Sequence, residues 1–361
     1  MFRTLRPLVL SLCAAGFLLC SHPVVTTASA AAIQETKATA KKTSAKKATL
    51  KKLPAQKTSV KKTTAKKASA KKGRVVRTKA KRRAVVRGPS QAALAGLDKT
   101  HDWLALGSSV AYAVDQDTGE VLYSKNADVS LPIASITKLM TAVVIAESGL
   151  KLTDKIRITR EDYVRSRASS KLRNGMVLTR KALLQMALMS SDNRAAHALA
   201  RTYPGGKKAF VAKMNETAAR IGMKDAFFAD PTGLDNRNRA TASDIGRLAV
   251  VAHGYKPIRE LSTAPVARVQ AGKRTLTLKT TNRLIGDPDW RIGIQKTGLT
   301  TAAGHCMVVQ TEAAGRRIIF VVFDSPNNSQ RALDMKTMKS YVEAETRFTN
   351  GFDHVLPYAI F

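Results

Sequence analysis

Ser135 and Lys138 stand three residues apart in Ser135-Ile136-Thr137-Lys138, at the head of the apolar run LMTAVVIAESG. A spacing of three places both side chains on one face of a helix. A serine hydroxyl becomes a useful nucleophile when a neighbouring base takes its proton, and a lysine can do so only as the neutral amine. The run predicts a helix over 135–148 that is apolar on nearly all sides through Ala146 and therefore buried. Burial and the partial positive charge of a helix N-terminus both push Lys138 toward its neutral form. The plain alternative is that Ser135 is an N-cap and Lys138 incidental. A lysine in the first turn sits in the wrong field, however, and a local rule broken without visible compensation marks a site.

Two further motifs have the residue types to complete such chemistry. Ser191-Asp192-Asn193 lies between two helical patterns. At the least it is a helix–turn–helix corner whose polar side chains cap the second helix. It also offers a hydroxyl, Ser191, to relay a proton to a departing amine, and an amide, Asn193, to bond a substrate backbone. Lys296-Thr297-Gly298 follows the apolar stretch 291–295. As structure it is a strand terminus with a solvated lysine and a turn glycine. As a site, Lys296 supplies a fixed positive charge, Thr297 binds a carboxylate, and Gly298 lets a substrate strand lie close to the backbone.

The elements that must position these residues follow from periodicity. Strands are predicted over 108–114 and 121–124, joined by a turn at Asp117-Thr118-Gly119. Helices follow at about 135–148, 180–190, 193–202, 207–221 and 243–253. Thr241 and Asp244 form a capping-box signature for the last of these. Strand patterns return at 274–280, 291–297, 303–310 and 317–324, with a turn at Ala314-Gly315, before a closing helix over about 328–347. Strands, many helices, strands and a helix make an α+β layout, with an antiparallel sheet built from both chain ends and a helical insertion between them.

Composition bounds the rest. The chain of 361 residues carries 61 Lys plus Arg against 26 Asp plus Glu, a net +35. Residues 35–90 alone hold 21 bases and the single acid Glu35. Lysine pairs recur there every five residues among Ala, Thr and Ser, a period that leaves no apolar helix face. That segment, taken with its flank as 31–90, reads as a disordered basic linker suited to loose contact with a polyanion. It has no aromatic residues to stack on bases, so no nucleic-acid partner is expected. Before it, Arg3 and Arg6, the apolar stretch 8–20 and Ala28-Ser29-Ala30 read as a secretory signal peptide spanning 1–30. This predicts an exported, periplasmic protein, soluble or loosely associated with wall or membrane. The folded part is 91–361. No metal centre or cofactor is expected: His197, His253 and His305 are scattered, with no His-Glu-x-x-His or Cys-x-x-Cys pairing. Cys306 reads as a small buried hydrophobe.

The order and spacing of the three motifs resemble those of the β-lactamase and penicillin-binding-protein superfamily. The resemblance is nearer to the low-molecular-mass penicillin-binding proteins that act as D-alanyl-D-alanine peptidases. The stretches ASITKLMTA (134–142), FADPTGLD (228–235) and KTGLTTAAGHCMV (296–308) support it. The resemblance implies the transpeptidase fold, with Ser135 as nucleophile, Lys138 as base and Ser191 as a proton relay. It also implies substrate binding by Asn193, Lys296, Thr297 and Gly298, and an oxyanion hole from the backbone N–H groups of Ser135 and Leu299. It further implies peptidoglycan stem peptides and cross-links as substrate and β-lactams as inhibitors.

A β-lactamase of the related class needs a deacylating glutamate in a Glu-x-x-Leu-Asn stretch after the second motif, and none occurs. An inactive wall-binding domain would have no need of Lys138. Only 63 residues follow Gly298 (361 − 298), which two strands and a helix nearly fill. That leaves no room for the β-rich second domain and amphipathic anchor usual in the resembled carboxypeptidases. The expectation is a D,D-endopeptidase that cuts D-alanyl cross-links, with a D-alanyl-D-alanine carboxypeptidase as the alternative.

Overall fold

The computed structural model describes residues 88–166 and 168–352. The stretches read as signal peptide and basic linker lie outside the described residues, apart from the last few before 91.

A short helix α1 (Gln91–Leu94) leads into strands β1 (Val110–Asp115) and β2 (Val121–Lys125). The two-residue strand β3 (Leu131–Pro132), the 3-10 turn Ala134–Ile136 and helix α2 (Thr137–Glu147) follow. Two short strands, β4 (Lys155–Arg157) and β5 (Val177–Thr179), pair with each other before helices α3 (Arg180–Met189), α4 (Asn193–Arg201) and α5 (Gly206–Arg220). After β6 (Arg239–Ala240) come α6 (Ala242–Gly254) and α7 (Lys256–Thr263), then the hairpin β7 (Val266–Ala271) and β8 (Arg274–Lys279). Strands β9 (Ile292–Thr300), β10 (Gly304–Ala313) and β11 (Arg316–Ser325) and helix α8 (Asn328–Phe352) complete the fold.

The main sheet has five strands in the order β2-β1-β11-β10-β9, all antiparallel. It therefore joins the first strands to the last, as the sequence pattern predicts. Both faces are covered. Val110, Tyr112 and Val114 of β1, with Ile319, Val321 and Phe323 of β11, face the helical layer. The alternate residues Ala111, Ala113, Ile318, Phe320 and Val322 pack against Met335, Met338 and Val342 of α8. This two-sided burial explains why 318–323 reads as a continuous apolar run. Each fully buried phenylalanine or isoleucine contributes about 1.5–3 kcal/mol, so the sheet is a rigid floor. The hairpin turn at Ala314-Gly315 takes positive φ at both residues (51° and 76°), the geometry of a tight two-residue loop. Among the described residues no helix is long and apolar enough to cross a membrane.

Helix α2 runs through the middle of the helical layer, with every side chain from Thr137 to Ile145 buried. The capping box of α6 is present: Thr241 accepts from the Asp244 amide, and the Asp244 side chain accepts in return. Cys306 is buried in β10, and burial pushes its thiol up to about 12.

Four local expectations need correction. The α-helix starts at Thr137, and Ser135 does not cap it; Ser135 sits inside the preceding 3-10 turn. The chain enters that turn through Ala134 at φ 47°, a left-handed conformation that redirects the backbone just before the serine. The strand containing Lys296-Thr297-Gly298 does not end there but runs on to Thr300, held by pairing with β10. The strand expected at 274–280 lies outside the main sheet, paired with β7. Helix α7 lies where the sequence pattern predicts no element; it starts directly from Tyr255, the residue that caps the end of α6, with a proline in its first turn.

Candidate active site

All three motifs meet where the N-terminus of α2, the α3–α4 corner and the edge strand β9 converge. Lys138 Nζ lies 2.7 Å from Ser135 Oγ, 2.7 Å from Asn193 Oδ1 and 2.7 Å from the carbonyl oxygen of Thr232. Lys138 is wholly buried, whereas Ser135 is partly open to solvent. Burial brings the Lys138 ammonium down to about 7, against the opposing pull of Asp230 and Asp192. The three contacts suit a neutral amine. It has two N–H groups and one lone pair. Asn193 and Thr232 offer acceptors for the two hydrogens, which leaves the lone pair for the Ser135 hydroxyl.

The α3–α4 corner is built from its own sequence. Ser191 adopts φ 57°, and Asp192 caps α4 by accepting from the Ala195 amide at 3.1 Å. The expected corner and cap are therefore both present. The strained serine conformation aims its hydroxyl across the cleft, where Lys296 Nζ lies 3.0 Å away. Lys296 Nζ also donates to the Thr297 carbonyl at 2.7 Å. Burial, Lys138 and Arg331 all hold this second lysine well below the usual lysine range. Thr297 Oγ1 is 2.6 Å from Thr281 Oγ1. The Asn193 amide is engaged at both ends by the protein, since its Nδ2 donates to Ser166 Oγ at 3.2 Å.

Gly298 is where β9 touches the turn that holds Ser135. A Cβ placed there would lie 3.0 Å from the Ile133 carbonyl oxygen and 3.2 Å from the Ser135 nitrogen. The glycine thus lets two parts of the chain approach each other, a role distinct from admitting a substrate strand. Leu299, the next residue, is 41% exposed on this edge strand.

Sequence reasoning missed the group that completes the Lys138 environment. It belongs to the loop Asp230-Pro231-Thr232-Gly233-Leu234-Asp235, within a run that carried no assigned role. Asp230 folds this loop by accepting from Thr232 Oγ1 (2.8 Å), the Gly233 amide (2.8 Å) and the Asp235 amide (2.7 Å). Buried Asn238 fixes it to α2, accepting from the Ala229 amide (2.8 Å) and donating to Thr137 Oγ1 (3.0 Å) and the Asp230 carbonyl (2.8 Å). Gly233, at φ +79°, packs so closely on Ala134 that no side chain fits there. Two aspartates, two asparagines and a glycine within nine residues were the available signal.

A family model described as D-alanyl-D-alanine carboxypeptidase, peptidase S11, matches residues 98–327. The D-alanyl-D-alanine endopeptidase of Pseudomonas aeruginosa is 41% identical over 241 residues, 66% of this chain and 78% of that protein. The D-alanyl-D-alanine endopeptidase of Escherichia coli is 36% identical over 258 residues, 71% of this chain and 83% of that protein. Among solved structures, a cysteine-to-asparagine mutant of the Streptomyces K15 DD-transpeptidase superposes with a TM-score of 0.62 at 30% identity, covering 66% of this chain and 99% of that one. Penicillin-binding protein D2 of Listeria monocytogenes, in its ampicillin-bound form, gives 0.59 at 28%, with the same coverage of each chain. The α+β layout is thus the transpeptidase fold, and the chain belongs to the peptidase S11 family of serine-type D-alanyl-D-alanine peptidases.

Proposed function

We propose that the chain is a D-alanyl-D-alanine endopeptidase of peptidoglycan that works through an acyl-enzyme on Ser135. The observation that carries the chemistry is the buried Lys138 amine, with two acceptors for its hydrogens and a serine hydroxyl at its lone pair. Lys138 takes the Ser135 proton as the oxygen attacks the carbonyl of the D-alanyl residue. The backbone N–H groups of Ser135 and Leu299 stabilise the oxyanion, worth about 10²–10³ in rate per donor. Ser191, held by Lys296, passes a proton to the departing amine and regains one, so that the net transfer is the proton Lys138 took from Ser135; collapse then forms the ester and releases the leaving peptide. Water then hydrolyses the ester. β9 is an edge strand, so an extended peptide can add to it through main-chain bonds, with Thr297 at the substrate's carboxylate.

The endopeptidase reading rests on the relatives from Pseudomonas aeruginosa and Escherichia coli. It predicts that purified cross-linked dimer muropeptides become monomers faster than monomeric pentapeptide loses its terminal D-Ala. Persistent dimers alongside trimmed pentapeptides would replace it with the carboxypeptidase reading. Labelled penicillin should acylate Ser135 and leave slowly, since no deacylating glutamate motif is present; labelling that survived Ser135→Ala would remove Ser135 as nucleophile. Export to the periplasm is part of the same reading and rests on the N-terminal pattern alone. Deleting residues 35–90 should leave small-peptide turnover unchanged and weaken low-salt binding to isolated sacculi. Equal binding with and without that stretch would end its proposed role as a polyanion tether.

A further inference from the structure

Two segments distant in sequence pack together beside the cleft, and neither contains an acid. Residues 163–191 hold six Lys or Arg and no Asp or Glu; residues 261–286 hold five and none. They are joined where the Gly272 amide donates to the Val177 carbonyl at 3.0 Å and where Lys171 Nζ meets the Thr277 carbonyl. In the first, Arg165, Lys171 and Arg173 are exposed; on the β7–β8 hairpin, Arg268, Lys273, Arg274 and Lys279 are exposed. Among the described residues none of these seven is paired with a carboxylate; in the first segment only the buried Arg180 is, with Asp154 at 3.3 Å. The start of β11 and the β1–β2 turn beside it show the contrast. There Arg316 and Arg317 are matched by Asp115, Glu120 and Asp117.

This unmatched surface begins at the catalytic groups. Ser166 bonds Asn193, and Ser170 Oγ donates to Asp192 Oδ2 at 2.7 Å. On the other side Thr281, two residues past β8, bonds Thr297. Exposed like charges packed together repel one another, and an acid-free surface of this kind attracts polyanions over about one Debye length, roughly 10 Å at 0.1 M salt.

We propose that this face is the docking surface for the carboxylate-bearing part of the wall polymer, the stem peptides that flank the bond being cut. The proposal rests on the peptidoglycan reading above and names the chemistry that reading leaves open: free carboxylates met by Arg268, Lys273 and Arg274 on the hairpin and by Arg165, Lys171 and Arg173 on the loop. These side chains act on substrate capture and leave the bond-making groups untouched.

The test compares the full-length protein with the triple variant Arg268→Gln/Lys273→Gln/Arg274→Gln. A control variant, Lys207→Gln/Lys208→Gln/Lys224→Gln, loses the same charge from α5 and the turn after it. Co-sedimentation is measured on purified sacculi and on sacculi whose carboxylates have been amidated, and acylation by labelled penicillin is followed in parallel. The hairpin variant should lose at least about threefold in sacculus binding at low salt, with acylation and the control unchanged. Amidation should abolish the difference between the hairpin variant and the parent. Equal binding by hairpin variant and control, or a hairpin effect that survives amidation, would overturn the proposal. Binding is read independently of cleavage, so intact binding without cleavage of cross-links would count against the endopeptidase reading and leave this one standing.

Discussion

Lys138 Nζ and the main-chain oxygen of Thr232 are 2.7 Å apart, so the lysine proposed as base is oriented by a backbone group 94 residues further along the chain. The Thr232 side chain takes no part in that contact, but its Oγ1 donates to Asp230 Oδ1 at 2.8 Å within the loop. Thr232→Ser keeps that hydroxyl and should therefore keep penicillin acylation within about threefold of the parent. Asn238→Ala should not, because it frees the loop that presents the carbonyl. We expect acylation to fall at least about tenfold, since sub-ångström misplacement of a reacting group is costly. Stability should drop by about 1–3 kcal/mol from buried polar groups left unpaired. Stopped-flow acylation and urea unfolding separate the two effects; an Asn238→Ala protein that acylates at the parental rate would remove the loop from the mechanism.

The pH dependence of acylation follows from Lys138. Burial lowers its ionisation to about 7, so the reactive neutral form grows as pH rises through that value. The acylation rate should climb between about pH 5 and 8 and then level off. At pH 5 roughly one molecule in a hundred holds the free amine, and the rate should fall in proportion. Lys138→Arg, which stays charged throughout, should show no such limb and almost no acylation.

Gly298→Ala tests the approach of β9 to the nucleophile's turn. The added methyl would press on the Ile133 carbonyl and the Ser135 nitrogen at 3.0 and 3.2 Å. A shift of a few tenths of an ångström relieves this, so the protein should fold. The Ser135 amide moves with it. The expected result is a fall in acylation of about tenfold or more with little change in the unfolding midpoint. Unchanged acylation would show that the turn and β9 adjust independently.

Asp162 lies apart from the site and tests the frame. Burial would raise its carboxyl, but bonds from His197, Arg201 and the Thr159 amide bring it down to about 2. Its ion pair with Arg201 Nε is 2.8 Å long. A carboxylate held below its unfolded value of 3.8 adds stability that is full above about pH 4 and is lost as pH falls through 2. Asp162→Asn should cost about 2 kcal/mol at pH 7 and nearly nothing at pH 2, measured by denaturant unfolding.

The contact between Ser135 and Lys138 was legible in the sequence because its geometry is local: three residues along one turn bring the two side chains together. The α3–α4 corner was legible for the same reason, since Ser191-Asp192-Asn193 sits where one helix pattern stops and another starts. The Thr232 carbonyl was not, because every residue carries one and only the tertiary path selects it. Ser166 left no trace either; a serine in a loop has no period to read. Strand β7 was hidden by its composition. In Val266–Ala271 only Val269 and Ala271 are buried, and alternation among Ala, Arg and Gln is too faint to separate from a loop. The opposite held for β11, whose burial on both faces made it plain as a strand while hiding which face meets the helices.

The strand order also sets when the enzyme can begin to work. β1 is made first, yet its inner neighbour is β11, some two hundred residues later, and β9 reaches β1 only through β10 and β11. Ser135 and Lys138 can adopt their turn early, but Lys296 stands opposite Ser191 only once the last hairpin has closed the sheet. Pairings of such long sequence separation form late and slowly. A chain that has not yet added β11 therefore carries Ser135 without the Lys296 that faces Ser191 across the finished cleft.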